Sequence, residues 1–323
     1  MPSAPRILLV KTSSLGDVIH ALPVASDIAR ALPGATIDWV VEESFADIPH
    51  LHPAVGTVIR TALRRWRRAL FSRATRQELA SFRRQIGASS YDHVIDLQGL
   101  VKSAWICRLA HGPRAGYDRH SAREGLASLA YQHRFAVARE QAAVQRNRQL
   151  AAAALAYSLA GLPLDYGIAS PDAALQKNPA NAAFAILLTA TSRDDKLWPE
   201  ADWIGLGQTL HRRGLTLLLP AGSTPERQRA ERIAAQIPGA RVLPAMGIAQ
   251  LAQAFSGAAL AVGVDTGLTH LACALGIPTL AIYTATDPGL TGVVGSAFHQ
   301  NLGGRSGPPP LSEVLAATQL ALA

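Results

Sequence analysis

Leu8 to Pro23, "LLVKTSSLGDVIHALP", passes from an apolar strand through a short polar loop into a helix, and it sets Asp17 at the junction. The same succession recurs along the chain. Short apolar runs alternate with longer amphipathic stretches, which predicts parallel strands joined by crossover helices, an α/β fold. Strands are expected at Ile7–Lys11, Ile37–Val41 and Val94–Leu97 in the first half. In the second half they are expected at Phe184–Leu188, Thr216–Pro220, Ala259–Val264 and Thr279–Tyr283. Periodicity fades and Pro accumulates over Leu162–Ala180, "LPLDYGIASPDAALQKNPA". A linker at 166–180 therefore separates a domain over 1–165 from one over 181–323. "GGRSGPPP", Gly303–Pro310, reads as a turn before a short final helix. The simplest architecture is two Rossmann-like doubly wound domains facing a central cleft.

Composition narrows the function classes. The chain has 323 residues, 49% of them hydrophobic, enough for two cores. Its two cysteines, Cys107 and Cys273, lie far apart and form no CxxC, which argues against a disulfide framework or a thiolate metal site. "MPSAPRILLV" lacks the apolar core of a signal peptide, and no apolar run reaches the ~20 residues of a membrane span. A soluble, cytoplasmic protein is expected. A net charge of +8 predicts anionic partners: nucleic acid, lipid head groups or phosphorylated small molecules.

In parallel sheets, ligands meet the protein beyond the carboxyl ends of strands. "KTSSLGD" occupies such an end. Gly16 leaves the backbone open, and Ser13, Ser14 and Asp17 suit a helix start; Pro23 restarts or kinks the helix. From the motif alone Asp17 reads first as a helix cap, and second as a general base that takes a hydroxyl proton. Neither a Walker A sequence nor a GxGxxG is present.

A second station, "TATSRDDKLWP", follows "FAILL". Thr191 and Ser192 offer hydroxyls and Lys196 a mobile positive charge, a set suited to phosphate oxygens but also to a solvated loop; Trp198 and Pro199 read as core and helix start. In "VDTGLTHLACALGIP", Asp265, Thr266 and Gly267 precede a helix whose N–H groups favour a diphosphate. His270, one turn in, is either a core histidine or a phosphate donor. Glu226 in "PAGSTPERQRAERI" either accepts ribose hydroxyls or is an ordinary acidic first turn. No HExxH or Cys/His cluster argues for a metal, and Asp194 and Asp195 read as a helix-start feature, so no metal and no cofactor are expected.

With these stations in order, the chain resembles the bacterial ADP-heptose:lipopolysaccharide heptosyltransferases, most closely the heptosyltransferase I family. The matching blocks are "LLVKTSSLGDVIHALP", "IDWVVEESFADIPHLHP", "RRWRRALFS", "YDHVIDLQGLVKSA", "SAREGLASLAY", "RDDKLWPE", "VDTGLTHLACALGIP" and "TDPGL", which span almost the whole chain. The resemblance implies a GT-B fold, an ADP-heptose donor, a Kdo-lipid A acceptor, and transfer with inversion and no obligatory metal. It places the catalytic aspartate on Asp17. The nucleotide-site residues fall on Thr191, Ser192, Lys196, Glu226, Asp265, Thr266, Gly267 and His270. Two departures stand out: "YTATDPG" carries Thr284 and Ala285 where members usually have Gly-Pro, and Ala221 replaces a frequent aromatic. Met246 is the candidate for the adenine-side packing that Ala221 does not supply.

For such a transfer, Lys196, Thr191 and the Thr266–His270 helix start are expected to stabilise the departing diphosphate, with Lys196 and the helix dipole in place of a metal. The acceptor accounts for much of the positive charge. Ser14 and Gly16 beside Asp17, and Arg64, Arg65, Arg67, Arg68, Lys102 and Arg123 in two basic stretches that otherwise read as solvated helix faces, are its expected contacts. Trp66, Leu70 and Phe71 are expected on acyl chains or the membrane interface, giving peripheral association with the cytoplasmic side of the inner membrane. Three competitors remain: a heptosyltransferase acting at the next core position, a nucleotide-sugar epimerase on the same fold, and a nucleic-acid binder. The last ranks lowest because aromatics suited to base stacking are sparse.

Overall fold

A computed structural model describes residues 4–168 and 183–323. The chain divides into two compact units, Met1–Gly167 and Ile168–Ala323. The division falls within the expected linker, whose residues 169–180 lie outside the described residues.

The first unit is built on six strands: β1 (Arg6–Val10), β2 (Thr36–Glu42), β3 (Val55–Thr61), β4 (His93–Asp96), β5 (Arg114–Tyr117) and β6 (His133–Phe135). Their order is β3-β2-β1-β4-β5-β6 and every pairing is parallel. The second unit repeats the plan with β7 (Phe184–Leu188), β8 (Thr216–Leu219), β9 (Arg241–Val242), β10 (Leu260–Val264), β11 (Thr279–Tyr283) and β12 (His299–Gly303). Its order, β12-β11-β10-β7-β8-β9, is again all parallel. In each sheet the strand order reverses beside the first strand, at β1/β4 and at β7/β10. That is where doubly wound sheets open a crevice at their carboxyl edge.

The seven expected strands are all present, each within one residue at either end. Five others, β3, β5, β6, β9 and β12, escape the sequence pattern. Four of them are sheet edges, where few or none of the residues are buried, and they mix polar residues with apolar ones, as in "HRF" and "HQNLG". Central strands such as β10, "LAVGV", are buried throughout and so read as continuous apolar runs.

Helices cover both faces for reasons visible in their sequences. Helix Arg73–Gly87 starts at Ser72, whose hydroxyl accepts the Thr75 N–H, and buries Thr75, Phe82 and Ile86 along one stripe. Helix Glu200–Arg212 buries Trp203, Leu206 and Leu210, and Trp198 packs edge-on against Trp203 at 5.1 Å. Each Leu or Ile fully buried in such a core contributes roughly 1.5–3 kcal/mol. Pro23 falls in the first turn of helix Leu22–Ala31, so it restarts the helix rather than kinking one. Among the described residues no helix is long and apolar enough to cross a membrane.

Candidate active site

At the first reversal point, β1 runs into the loop Lys11–Ser14 and then the short helix Leu15–Ile19. Gln98, just past β4, locks that loop by accepting the N–H groups of Thr12 and Ser13 at 3.0 and 3.1 Å. Ser14 is the N-cap residue. Asp17, in the first turn, reaches back so that Oδ2 accepts both the Ser14 N–H (2.9 Å) and its hydroxyl (3.0 Å). Asp17 is thus a capping partner by geometry, yet 27% of its side chain stays exposed and Arg123 approaches to 3.8 Å. Burial disfavours its charge, but Lys11, the Ser14 N–H, Arg123 and His20 outweigh burial and hold the carboxyl below its usual range. It is ionised at neutral pH.

Lys11, Gln98 and Asn147 went unmarked in the sequence. Lys11 donates to the Leu97 carbonyl at 2.8 Å and to Asn147 Oδ1 at 3.4 Å. Asn147 donates in turn to the His20 carbonyl. Partners more than 80 residues away leave no local signal.

The cationic residues expected around Asp17 divide by partner. Lys102 donates to Ser13 Oγ at 3.1 Å. Burial and the charges of Arg64, Arg123 and Arg67 draw its pKa down against Glu42, so these cations converge on one neighbourhood. Arg67 and Arg68 are exposed. Arg64 lies over the Phe45 ring at 5.3 Å, and its backbone N–H donates to Glu42. Arg65 is held by Glu43 and Glu78. Trp66 requires a correction. It is 4% exposed, packs against Phe82 and donates Nε1–H to Glu78, so its indole is core rather than a membrane contact. An amphipathic ring is buried here because a carboxylate satisfies its one polar atom. Leu70 and Phe71 are exposed, Phe71 by 91%.

At the second reversal point the loops after β7, β10 and β11 meet on Asp265. Lys196 Nζ and Thr286 Oγ1 donate to its Oδ2 at 2.7 and 2.6 Å, and His270 Nε2 lies 3.9 Å from Oδ1. Burial opposes the charge of Asp265, but His270, Lys196 and Thr286 prevail and hold its carboxyl far below the usual range. Thr191 ties the β7 loop in by donating to the Asp265 carbonyl at 3.1 Å. Thr284, one of the two departures, donates to the Asp195 carbonyl at 2.5 Å and so braces the β11 loop against the β7 loop. Asp194 and Asp195 belong to a 3₁₀ turn, Asp194–Lys196, and Pro199 caps the helix that follows.

Thr266 is the N-cap residue of helix Gly267–Ala274, and Gly267 is its first residue. Gly263 in β10 lets this helix come close. A Cβ there would stand 2.1 Å from Thr269 Oγ1 and 2.8 Å from Leu188 Cβ. His270 is 7% exposed and turned toward Asp265, the arrangement of a satisfied inner histidine beside the site. Glu226 forms a capping box with Ser223, its Oε2 accepting the N–H groups of Gly222 and Ser223 at 2.8 and 3.1 Å. That is the ordinary first-turn role, with the carboxylate still at the strand end. Ala221 is buried in the core, Met246 is half-buried ahead of helix Ile248–Phe255, and Ser192 is exposed. Among the described residues no cluster of His, Cys, Asp and Glu could hold a metal ion.

Comparison with known proteins finds relatives of the whole chain. The model of glycosyltransferase family 9 (heptosyltransferase) matches residues 79–312. Lipopolysaccharide heptosyltransferase 1 of Pseudomonas aeruginosa is 49% identical over 291 residues, 90% of this chain and 81% of that protein. The solved structure of E. coli heptosyltransferase WaaC with ADP superposes with a TM-score of 0.90 at 44% identity, over 98% of this chain and 99% of that one. The same enzyme with ADP-2-deoxy-2-fluoro heptose gives 0.85 at 43% identity, over 98% of each chain. The paired six-stranded parallel sheets match the GT-B architecture of these neighbours.

Proposed function

The chain belongs to glycosyltransferase family 9, the heptosyltransferases, and from that premise we propose that it moves L-glycero-D-manno-heptose from ADP-heptose to a Kdo of Kdo-lipid A, with inversion, in building the lipopolysaccharide inner core. The observation that carries this reading is the Lys196–Asp265–Thr286 cluster at the β7/β10 reversal, in a chain 44% identical to a heptosyltransferase solved with ADP.

Lys196, Thr191, Ser192 and the N-terminus of helix Gly267–Ala274 hold the diphosphate. Glu226 and Met246 take the ribose and adenine. Asp265 cannot itself donate to a phosphate; it holds Lys196 and Thr286 in place, and His270 lies against it. The acceptor hydroxyl gives its proton to Asp17 as its oxygen bonds to the anomeric carbon. The bond from that carbon to the diphosphate oxygen breaks, and its electron pair leaves with ADP. Charge grows on the diphosphate as the bond lengthens, so Lys196 and the helix N-terminus stabilise the transition state more than the bound donor. An aspartate held ionised meets the first requirement of the base.

Ser14, Gly16, Arg64, Arg67, Arg68, Lys102 and Arg123 face the acceptor's carboxylates and phosphates. Arg65 serves through its ion pairs with Glu43 and Glu78, which brace the arginine-rich turn. With Leu70 and Phe71 exposed beside these cations, the N-terminal unit rests peripherally on the cytoplasmic face of the inner membrane.

The test is ADP release from ADP-heptose with Kdo-lipid A, in the wild type and in Asp17→Asn. Acceptor-dependent release that falls by about 10²–10⁴ in the variant, with ADP binding intact, is the expected result. Release unaffected by the substitution returns Asp17 to its capping role, and no release in the wild type removes this acceptor from the reading.

A further inference from the structure

The loop after β11 touches no substrate in the mechanism above, yet it reaches Lys196 by two routes. Thr284 Oγ1 donates to the Asp195 carbonyl at 2.5 Å. That carbonyl belongs to the peptide bond leading into Lys196, the last residue of the 3₁₀ turn Asp194–Lys196. Two residues further on, Thr286 Oγ1 donates to Asp265 Oδ2 at 2.6 Å, the same oxygen that accepts Lys196 Nζ at 2.7 Å. One threonine therefore holds the backbone of the lysine, and the other holds its counterion. The turn's own bonds are local: the Lys196 N–H on the Arg193 carbonyl, the Leu197 N–H on the Asp194 carbonyl, and the Arg193–Asp195 ion pair.

We propose that Thr284 and Thr286 are positioning residues that clamp Lys196 between them and fix the direction in which its ammonium meets the diphosphate, an inference that rests on the reading of Lys196 as the cation beside the departing ADP. A lysine is a point charge on a flexible four-carbon stem, so the side chain alone does not set where the charge lies. Its ammonium has three N–H donors, and the one directed to Asp265 restricts where the other two point. The stem therefore needs a fixed start and a fixed end. The Asp195 carbonyl, held by Thr284, marks the start, and Asp265 Oδ2, held by Thr286, marks the end. Charge grows on the leaving oxygen as its bond lengthens, so a displacement of Nζ by roughly 1 Å weakens the transition state more than the bound donor.

The test is a double-mutant cycle between each threonine and the lysine, read as kcat for ADP release from ADP-heptose with Kdo-lipid A. Thr284→Val and Thr286→Val remove the hydroxyl and keep the side-chain volume. Each is expected to lower kcat about tenfold in the wild-type background and less than about twofold beside Lys196→Met. Thr284→Ser and Thr286→Ser, which keep the donor, are expected to recover most of the turnover. A loss of equal size in both backgrounds, or no loss in the wild-type background, overturns the inference and makes the threonines packing residues of their loop. Alanine takes the place of valine in a variant that does not fold and is read in the same way. ADP affinity, measured by calorimetry on the same proteins, separates the failures. It is expected to weaken about threefold in each valine variant and to be unaffected by the threonines beside Lys196→Met. That pattern in a wild type that releases no ADP upholds the clamp and removes the acceptor reading. Lys196→Met with wild-type turnover and ADP affinity removes the lysine reading and this inference together, whereas an inactive Lys196→Met beside uncoupled threonines removes this inference alone.

Discussion

The two reversal points are built to one plan and finished in opposite ways. Both sheets turn about their first strand, and each places a lysine and an aspartate in the loops above that turn. In the N-terminal unit the lysine is sunk, 6% exposed, and the aspartate looks outward with 27% of its side chain exposed. In the C-terminal unit the aspartate is the deeper partner, 10% exposed against 17% for Lys196. One unit therefore presents an anion, suited to take a proton, and the other presents a cation, suited to oxygen-rich anions. The scaffold supplies the location in both units; what differs between them is which of the two charges is left exposed.

Inverting either stack is the most direct way to break the comparison. Lys196→Met removes the presented cation, and kcat is expected to fall by about 10²–10³ in the ADP-release assay while the protein stays folded. A smaller effect is expected below it. Asp265→Asn leaves Lys196 without its anion and should cost roughly 2–3 kcal/mol in urea unfolding and weaken ADP binding as Lys196 swings free. The pH dependence gives this prediction its sign. Since the folded carboxyl of Asp265 sits below its ordinary value near 3.8, its share of stability is present above that value and is lost as pH falls from there. Acid unfolding of the wild type should carry that loss, and the asparagine variant should lack it. A variant whose acid unfolding matches the wild type would place the pair outside the stability of the unit. The smallest effects belong to the rim: Arg64→Ala and Lys102→Ala should each raise the acceptor KM by roughly three- to tenfold and leave donor affinity alone. Unchanged acceptor kinetics in both would detach the basic turn from the acceptor.

What the sequence discloses follows the same inside-out logic. The central strands announce themselves because both faces are buried. Edge strands such as β6 and β9 do not, since a half-solvated run of two or three residues has no pattern to repeat. Asp17, Lys196 and Asp265 were legible from their place after apolar runs. Their supports were not: Gln98 meets Thr12, and Thr286 meets Asp265, only after the loops of separate strands converge. Trp66 was misplaced for a related reason. In an arginine-rich stretch an aromatic suggests a membrane, and only the fold brings Glu78 to its indole nitrogen.

Gly263 carries a consequence for descent. Every amino acid other than glycine brings a Cβ, and at this point of β10 any Cβ meets the Thr269 hydroxyl and the Leu188 side chain at less than contact distance. The position therefore has no neutral neighbours in sequence space. A side chain at 263 therefore needs room made at both Thr269 and Leu188, whereas the exposed rim of the site carries no such condition.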